Sequence, residues 1–469
     1  MESLQNIASS LASALSDYTL VPLLLAAAIY FTIATRGVQF RMAGEMLRLL
    51  VRSGRRPDSP HGATVSSFQA FAVSIASRVG TGNLAGVASA IAIGGPGAVF
   101  WMWVIALLGA ASAFAESTLA QLFKIRGHKA FQGGPAYYIL KGLHNRPWAV
   151  TFAILITLTF GFAFNSVQSN TIAGALHTSF GFDPMWVGAV LAVLTLIIIC
   201  GGIHRISRFS ELIVPVMAIA YIILALVIVA MNIHRLPEVF SLIIENAFGV
   251  NQALGGTVGA ALIMGIKRGL FSNEAGEGST PNAAATADVS HPVKQGLIQA
   301  LGVYTDTLII CTCTAFIILC SGLYLEGHDG IILTQHAIDA GLGGSTSLGS
   351  TFVSIAIFFF AFTSIVANYY YGETNLRFIH NDHRIIIIYR LLVTGIVFWG
   401  AVSALDLVWT FADVTMALMT LCNLAAIVAL RRYVLLCLAD YRRQRPLGDP
   451  QYRRSTIPQI AAETTCWPE

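Results

Sequence analysis

The sequence predicts an all-α, polytopic membrane protein of about eleven helices, arranged as two inverted five-helix repeats that each open on a discontinuous helix. Three observations predict it. First, 55% of residues are hydrophobic and only 11% are charged, with a mean hydropathy of +0.70; a soluble domain carries roughly 25% charged residues. Second, apolar runs recur at about 15–34, 66–93, 97–123, 148–177, 185–203, 209–231, 253–272, 293–323, 347–377, 385–404 and 408–430. Each is long enough for a ~30 Å hydrocarbon core at ~1.5 Å per residue. Third, the second and seventh runs are interrupted by glycines and polar residues.

The basic residues order these spans. They cluster between the first two spans (Arg36 to Arg56), after the third (Lys124 to Arg146), after the fifth (Arg205, Arg208), around the seventh (Lys267, Arg268, Lys294), around the ninth (Arg377, Arg384, Arg390) and after the last. Only Arg235 falls in an opposite-side loop, and Arg78 lies within a span. The positive-inside rule then places the N-terminus outside and the C-terminus in the cytoplasm of a plasma-membrane protein. The first 18 residues lack the positive region of a secretory signal, so the first span reads as a retained helix. The loops at 36–62 and 124–146 are expected to hold interfacial helices, with Tyr137 and Tyr138 at headgroup level.

The second span carries the first break. Residues 74–86 read Ser-Ile-Ala-Ser-Arg-Val-Gly-Thr-Gly-Asn-Leu-Ala-Gly. Lipid offers no hydrogen-bond partners, so loosened backbone at membrane depth must be buried in protein or line a cavity. The seventh span, five further on, contains Gly265 and Gly269 and is expected to break there. Paired glycine-interrupted helices in two halves mark an inverted repeat with a binding site between them. The chain then divides into an added helix and basic loop (1–65), a first repeat (66–231), a second repeat (232–430) and a basic tail (431–469).

An unwound helix frees N–H groups that suit a carboxylate and carbonyls that suit a hard cation. Thr81 and Gly82 are the expected carboxylate donors, and the carbonyls of Ala76 and Val79 the expected cation ligands. Thr363 and Ser364, adjacent hydroxyls in the aromatic run of the ninth span, could complete a Na⁺ site. Met264, Gly265 and Gly269 could form the ammonium and side-chain pocket. Buried amides are costly unless paired, so Gln168 and Asn165, three apart in the fourth span, are candidates to line the same pocket. Ionisable residues inside spans are functional candidates. Asp306 could join Asn83 in a cation site or neutralise Arg78; Glu116 reads as structural; Asp413 could belong to an outer gate; Lys267 and Arg268 could snorkel or line a cytoplasmic exit path. The seven cysteines show no metal-binding spacing, and the histidines fall almost entirely in loops. No nucleophile–base pair is apparent, so an enzyme is not expected, and no nucleic-acid partner is implied.

Several blocks resemble a known family. Gly94-Gly-Pro-Gly-Ala-Val-Phe-Trp-Met-Trp-Val-Ile-Ala-Leu-Leu-Gly109, Gly80-Thr-Gly-Asn-Leu-Ala-Gly86, Gly133-Gly-Pro-Ala-Tyr-Tyr138, Gln168-Ser-Asn-Thr-Ile-Ala173, Phe271-Ser-Asn-Glu-Ala-Gly276 and His291-Pro-Val-Lys-Gln-Gly296 are similar to blocks of the sodium:alanine/glycine symporters. Glu277 departs from the apolar residue of that pattern. The resemblance covers about residues 66–430 and implies a LeuT-like fold of ten core helices plus one. It implies that Thr81 and Gly82 hold a substrate carboxylate, that Asn83 holds a cation, and that Thr363-Ser364 is a Na⁺-binding pair. The implied activity is uptake of a small neutral amino acid, alanine or glycine, coupled to co-transported Na⁺. A proton-coupled carrier, or one preferring glutamine or serine, is the alternative within the same fold.

Overall fold

The computed structural model describes residues 13–55, 65–127, 130–249, 258–344 and 347–469. The start of the seventh predicted span (253–257) and Arg56 of the first basic loop lie outside the described residues. Helix α1 (Ser13–Ala34) is followed by an amphipathic helix, α2 (Ala43–Arg55), in the loop expected to hold one. Helix α3 (Ser67–Arg78) starts on a capping box, in which the Gln69 N–H donates to Ser66 Oγ at 3.1 Å and the Ser66 N–H donates to Gln69 Oε1 at 3.0 Å. It ends where Val79 turns extended, with φ −82° and ψ 95°. The chain resumes as α4 (Gly82–Gly94) and turns into the long α5 (Ala98–Leu122).

The next loop holds a short antiparallel hairpin, β1 (Ile125–Arg126) with β2 (Phe131–Gln132), and α6 (Pro135–Leu143). Tyr137 and Tyr138 face protein instead of lipid headgroups: both are buried, and the Tyr138 hydroxyl donates to Asn423. Helices α7 (Arg146–Phe180), α8 (Pro184–Ile199) and α9 (Gly202–Met231) follow.

Beyond the linking helix α10 (Leu236–Ala247) comes α11 (Val258–Asn273). It runs unbroken through Gly265 and Gly269. The interruption falls later, at 274–280, before the single turn α12 (Pro281–Ala284). The remaining helices are α13 (Pro292–Ser321), α14 (Gly330–Gly341), α15 (Leu348–Ile379), α16 (His383–Val402) and α17 (Leu405–Ala429). Among the described residues eight helices are by themselves long and apolar enough to cross a membrane. The second predicted span is assembled from two pieces, α11 fills the described part of the seventh and is followed by the break and α12, and α8 is shorter. On α9, Leu212, Val216, Ile219, Ile223 and Leu226 are all more than half exposed at helical spacing, the face a helix turns to lipid.

Packing sorts the helices into two groups. One comprises α3–α4, α5, α11 and α13; the other comprises α7, α8, α15 and α16; α9 and α17 touch both. Counted as spans, the first group is two, three, seven and eight, and the second is four, five, nine and ten. Every member has its counterpart five spans away, as two inverted repeats require.

Gly265 and Gly269 belong to this packing. A Cβ on Gly265 would strike the Ala98 carbonyl and Trp101, and one on Gly269 would lie 2.8 Å from Ile105 Cγ2. Met264 sits against Gly94. These three residues hold α11 against α4 and α5, the close approach small residues permit between membrane helices, and they do not form a pocket beside the break. Gly265→Val is therefore expected to lower the melting temperature in detergent, by an overpacking cost of about 1–3 kcal/mol. Ligand affinity of the surviving folded protein should not change; a selective loss of affinity would contradict the packing role.

The tail is neither a domain nor a loose end. Helix α18 (Arg431–Gln444) and the residues after it strap one face of the bundle. Arg445 pairs with Glu45 at 2.9 Å, Lys294 with Asp449 at 2.6 Å, and Trp467 Nε1 donates to the Leu122 carbonyl at 3.1 Å.

Candidate functional site

The break in the second span faces the other helix group, and several of its backbone atoms meet side chains. The Gly80 N–H donates to Asn83 Oδ1 at 2.9 Å. The Thr81 N–H and hydroxyl both donate to Gln168 Oε1, at 3.0 and 2.7 Å. On the carbonyl side, Ser364 Oγ lies 2.7 Å from the Ala76 oxygen, 3.4 Å from that of Val79 and 3.0 Å from that of Phe360. Thr363 Oγ1 donates to the Phe360 carbonyl at 2.8 Å. The structure thus brings Ala76, Val79 and Ser364 to one point, with Thr363 beside it, and sets Thr81 against Gln168 next to them. Thr81, Asn83, Thr363 and Ser364 are fully buried. No side chain fits at the glycines: a Cβ on Gly80 would strike Ser364 and Gln168, and one on Gly82 would lie 3.0 Å from Ser272 Cα. Asn165 is not drawn in. Its Nδ2 donates to Gly161 one turn back at 3.2 Å, and its Oδ1 has no partner among the described residues.

Of the two roles open to Asp306, contact geometry favours the one with Asn83. Asn83 Nδ2 donates to Asp306 Oδ1 at 2.6 Å, and Ser272 and Thr307 hydroxyls both donate to Oδ2 at 2.8 Å. The backbone here is wound in a wide π turn, Tyr304–Cys311, as it is at Gly82–Gly86 and Thr159–Phe164; such turns concentrate at functional sites. Arg78 goes elsewhere. It donates to the Gln299 carbonyl and the Thr280 hydroxyl, both at 3.2 Å, and so ties the end of α3 to the second break and to α13.

That second break is held by Glu116. Glu274, Gly276 and Gly278 take positive φ of 54°, 90° and 87°, which explains the glycines at the last two positions. The Gly276 and Gly278 N–H groups donate to the two Glu116 oxygens at 3.1 and 3.0 Å, and Asn423 Nδ2 adds a third bond at 2.8 Å. Glu274 accepts from Ser77 and Ser279, each at 2.5 Å. Glu116→Ala would leave two buried backbone N–H groups without acceptors, at about 1–3 kcal/mol each, and would leave the Asn423 amide only its bond to the Gly276 carbonyl. Loss of folded, monodisperse protein is the expected result on size-exclusion chromatography; a variant as stable as the parent would refute this role.

On the N-terminal side of the break, Asp413 pairs with Lys267 at 2.9 Å and Arg268 at 3.2 Å, and Lys267 reaches Asp17 at 4.0 Å. Arg268 lies over the Trp409 ring at 4.1 Å, Trp409 packs on Phe271 at 4.7 Å, and Phe271 on Phe164 at 4.5 Å. Lys267 and Arg268 therefore neither snorkel nor line an exit path. They are neutralised before the break, which lies further along the chain than Gly265 and Gly269. Phe164, Phe271, Ser272, Glu274 and Trp409 are the residues the sequence reading did not single out. The run Ser272-Asn-Glu-Ala-Gly-Glu-Gly278, with two acids inside a span, was the signal for the break. A cavity of about 860 Å³ between α6, the β hairpin and the C-terminal end of α15 contains none of the predicted site residues, and Thr81, Asn83, Thr363 and Ser364 are fully buried away from it.

Two helix groups, two interrupted helices packed together in one of them, and a buried polar site where the first break meets the other define a secondary transporter of the LeuT-like class. The chain belongs to the sodium:alanine symporter family, whose profile matches residues 1–454. It is 49% identical over 451 residues to the probable sodium/glutamine symporter GlnT of Bacillus subtilis (strain 168), covering 96% of this chain and 93% of GlnT. It is 51% identical over 444 residues to the amino-acid carrier protein AlsT of the same organism, covering 94% of each chain. Among solved structures it superposes on MhsT in complex with L-phenylalanine with a TM-score of 0.57 at 16% identity, covering 86% of this chain and 93% of that one; this is a likeness of fold. The protein is a membrane transporter, not an enzyme.

Proposed function

We propose that the protein is a plasma-membrane symporter that couples Na⁺ entry to uptake of a small neutral amino acid, alanine or glycine, by alternating access. The observation that carries this reading is the meeting of Ser364 with the Ala76 and Val79 carbonyls at the second-span break. With Thr363 alongside, this is a set of neutral oxygens suited to a hard monovalent cation. Beside it, the Thr81 and Gly82 N–H groups would take the substrate carboxylate, displacing the Gln168 amide oxygen that now occupies Thr81. Asn83 and Asp306 would serve a second cation, and the Asp413 cluster with its aromatic stack would form the outer gate. Arg78 would couple the two breaks mechanically. The repeats would span 66–231 and 232–430, with the N-terminus outside. Excluding Lys267 and Arg268 from the cytoplasmic charges leaves the asymmetry of the other basic residues intact.

One Na⁺ crossing a 100 mV potential releases about 2.3 kcal/mol, enough alone for roughly 40-fold accumulation. The test is uptake of labelled alanine into proteoliposomes with and without a Na⁺ gradient, in competition with the common amino acids. Alanine and glycine should compete best, and removal of Na⁺ should abolish uptake. Strong uptake driven by a pH gradient without Na⁺ would refute the coupling. A second substrate reading, glutamine, is supported by the printed function of GlnT, and its dominance in the competition would replace alanine.

A further inference from the structure

The second break holds a carboxyl group that the proposed transport site does not use. Glu277 lies between Gly276 and Gly278, in the segment whose positive φ angles interrupt the seventh span. Its side chain is fully buried, and neither of its carboxyl oxygens has a hydrogen-bond partner among the described residues. The neighbouring acids are different. Glu116 on α5 accepts three hydrogen bonds, and Glu274, on the same segment, accepts two.

The charged groups within electrostatic reach of Glu277 are Glu274, Glu116 and Arg78. Arg78 donates from its two terminal nitrogens to Gln299 and Thr280, and its Nε, like the Glu277 oxygens, has no partner among the described residues. Tyr138 on α6 faces Glu116, and Tyr371 on α15 faces Glu274 and Arg78. One guanidinium therefore stands against three carboxyl groups, two of them supplied with donors. A third carboxylate, bare and dry beside the other two, would cost several kcal/mol, whereas a neutral carboxyl needs no counter-charge.

We propose that Glu277 is a proton-binding site, carrying a proton in the closed conformation described here and exchanging it when the segment 274–280 moves to open the transport site. A group that binds its proton more tightly in one conformation makes the equilibrium between conformations depend on pH. The sign follows: the proton is held in the closed state, so raising the pH disfavours closure, and transport, which must pass through closure, slows. This inference rests on the transport reading, and two measurements separate them.

The first is the initial rate of Na⁺-driven uptake of labelled alanine by the full chain in proteoliposomes, with the same pH on both sides, between about pH 5 and about pH 9. The parent rate should fall by up to about tenfold per pH unit above the titration of the group. Glu277→Gln should give a flat profile, and so should Glu277→Met, which covers the case in which the Gln variant does not fold. A parent profile that is already flat, or variants that keep its slope, would overturn the proposal. The second is the infrared band of a neutral carboxyl in the purified protein, present at neutral pH and missing in Glu277→Gln. Its absence from the parent overturns the proposal whatever the transport result. Its presence, with no Na⁺-driven uptake of any amino acid, supports the proton site and overturns the transport reading.

Discussion

Ser364→Ala should raise the Na⁺ concentration for half-maximal uptake by about 10- to 150-fold, from the loss of one charge-assisted contact worth about 1.5–3 kcal/mol. Among the described residues, the hydroxyl is the one side-chain atom with hydrogen bonds to the carbonyls of both Ala76 and Val79. In the proposed site it would complete an ion shell that the break alone leaves half built. Adding Thr363→Ala should remove Na⁺ stimulation altogether. The fold should survive both changes, since small alanines replace small side chains at fully buried positions. Labelled-alanine uptake against Na⁺ concentration measures the effect, and normal transport by the double variant at low Na⁺ would exclude this pair from the cation site.

Gln168→Glu should reduce amino-acid uptake by more than about 100-fold at saturating Na⁺. The native amide oxygen accepts from Thr81 at 3.0 and 2.7 Å and, in the proposed site, would yield that place to a substrate carboxylate. A glutamate there would hold the same donors with a permanent charge. It would also set two like charges about 4 Å apart, a repulsion of about 4 kcal/mol at an effective dielectric of 20. Equilibrium binding of alanine separates this from a folding defect, since the variant should remain monodisperse and lose affinity. Unchanged affinity would remove Gln168 from the substrate site.

The second-span break was legible because its signals coincide: Gly80, Gly82 and Asn83 sit among apolar residues with no packing partner evident in the sequence. The break in the seventh span was misplaced for an equally physical reason. A glycine that lets Ala98 approach, as Gly265 does, and a glycine that takes a φ of 90°, as Gly276 does, are the same letter. What separates them is the three-dimensional neighbour, or the polar company of Ser272, Asn273 and Glu274. Lys267 and Arg268 followed that error, since their side of the membrane depends on where the break lies. Tyr137 and Tyr138 misled because aromatic residues at a span's end fit a headgroup belt as well as they fit a buried contact. Asp413, Asp306 and the Thr363–Ser364 pair were visible as polar residues within apolar spans, and their partners needed the fold.

The bond between Gln168 and Thr81 bears on what kind of traffic such a carrier can sustain. Net accumulation requires the empty carrier to return across the membrane, whereas one-for-one exchange requires only the loaded one. An empty site that left the Thr81 amide dry and without an acceptor would resist closing, and the protein would idle as an exchanger. If the proposed transport cycle holds, Gln168 would let the unloaded carrier shut at little cost by lending its own amide oxygen, and the journey back would be as accessible as the journey in.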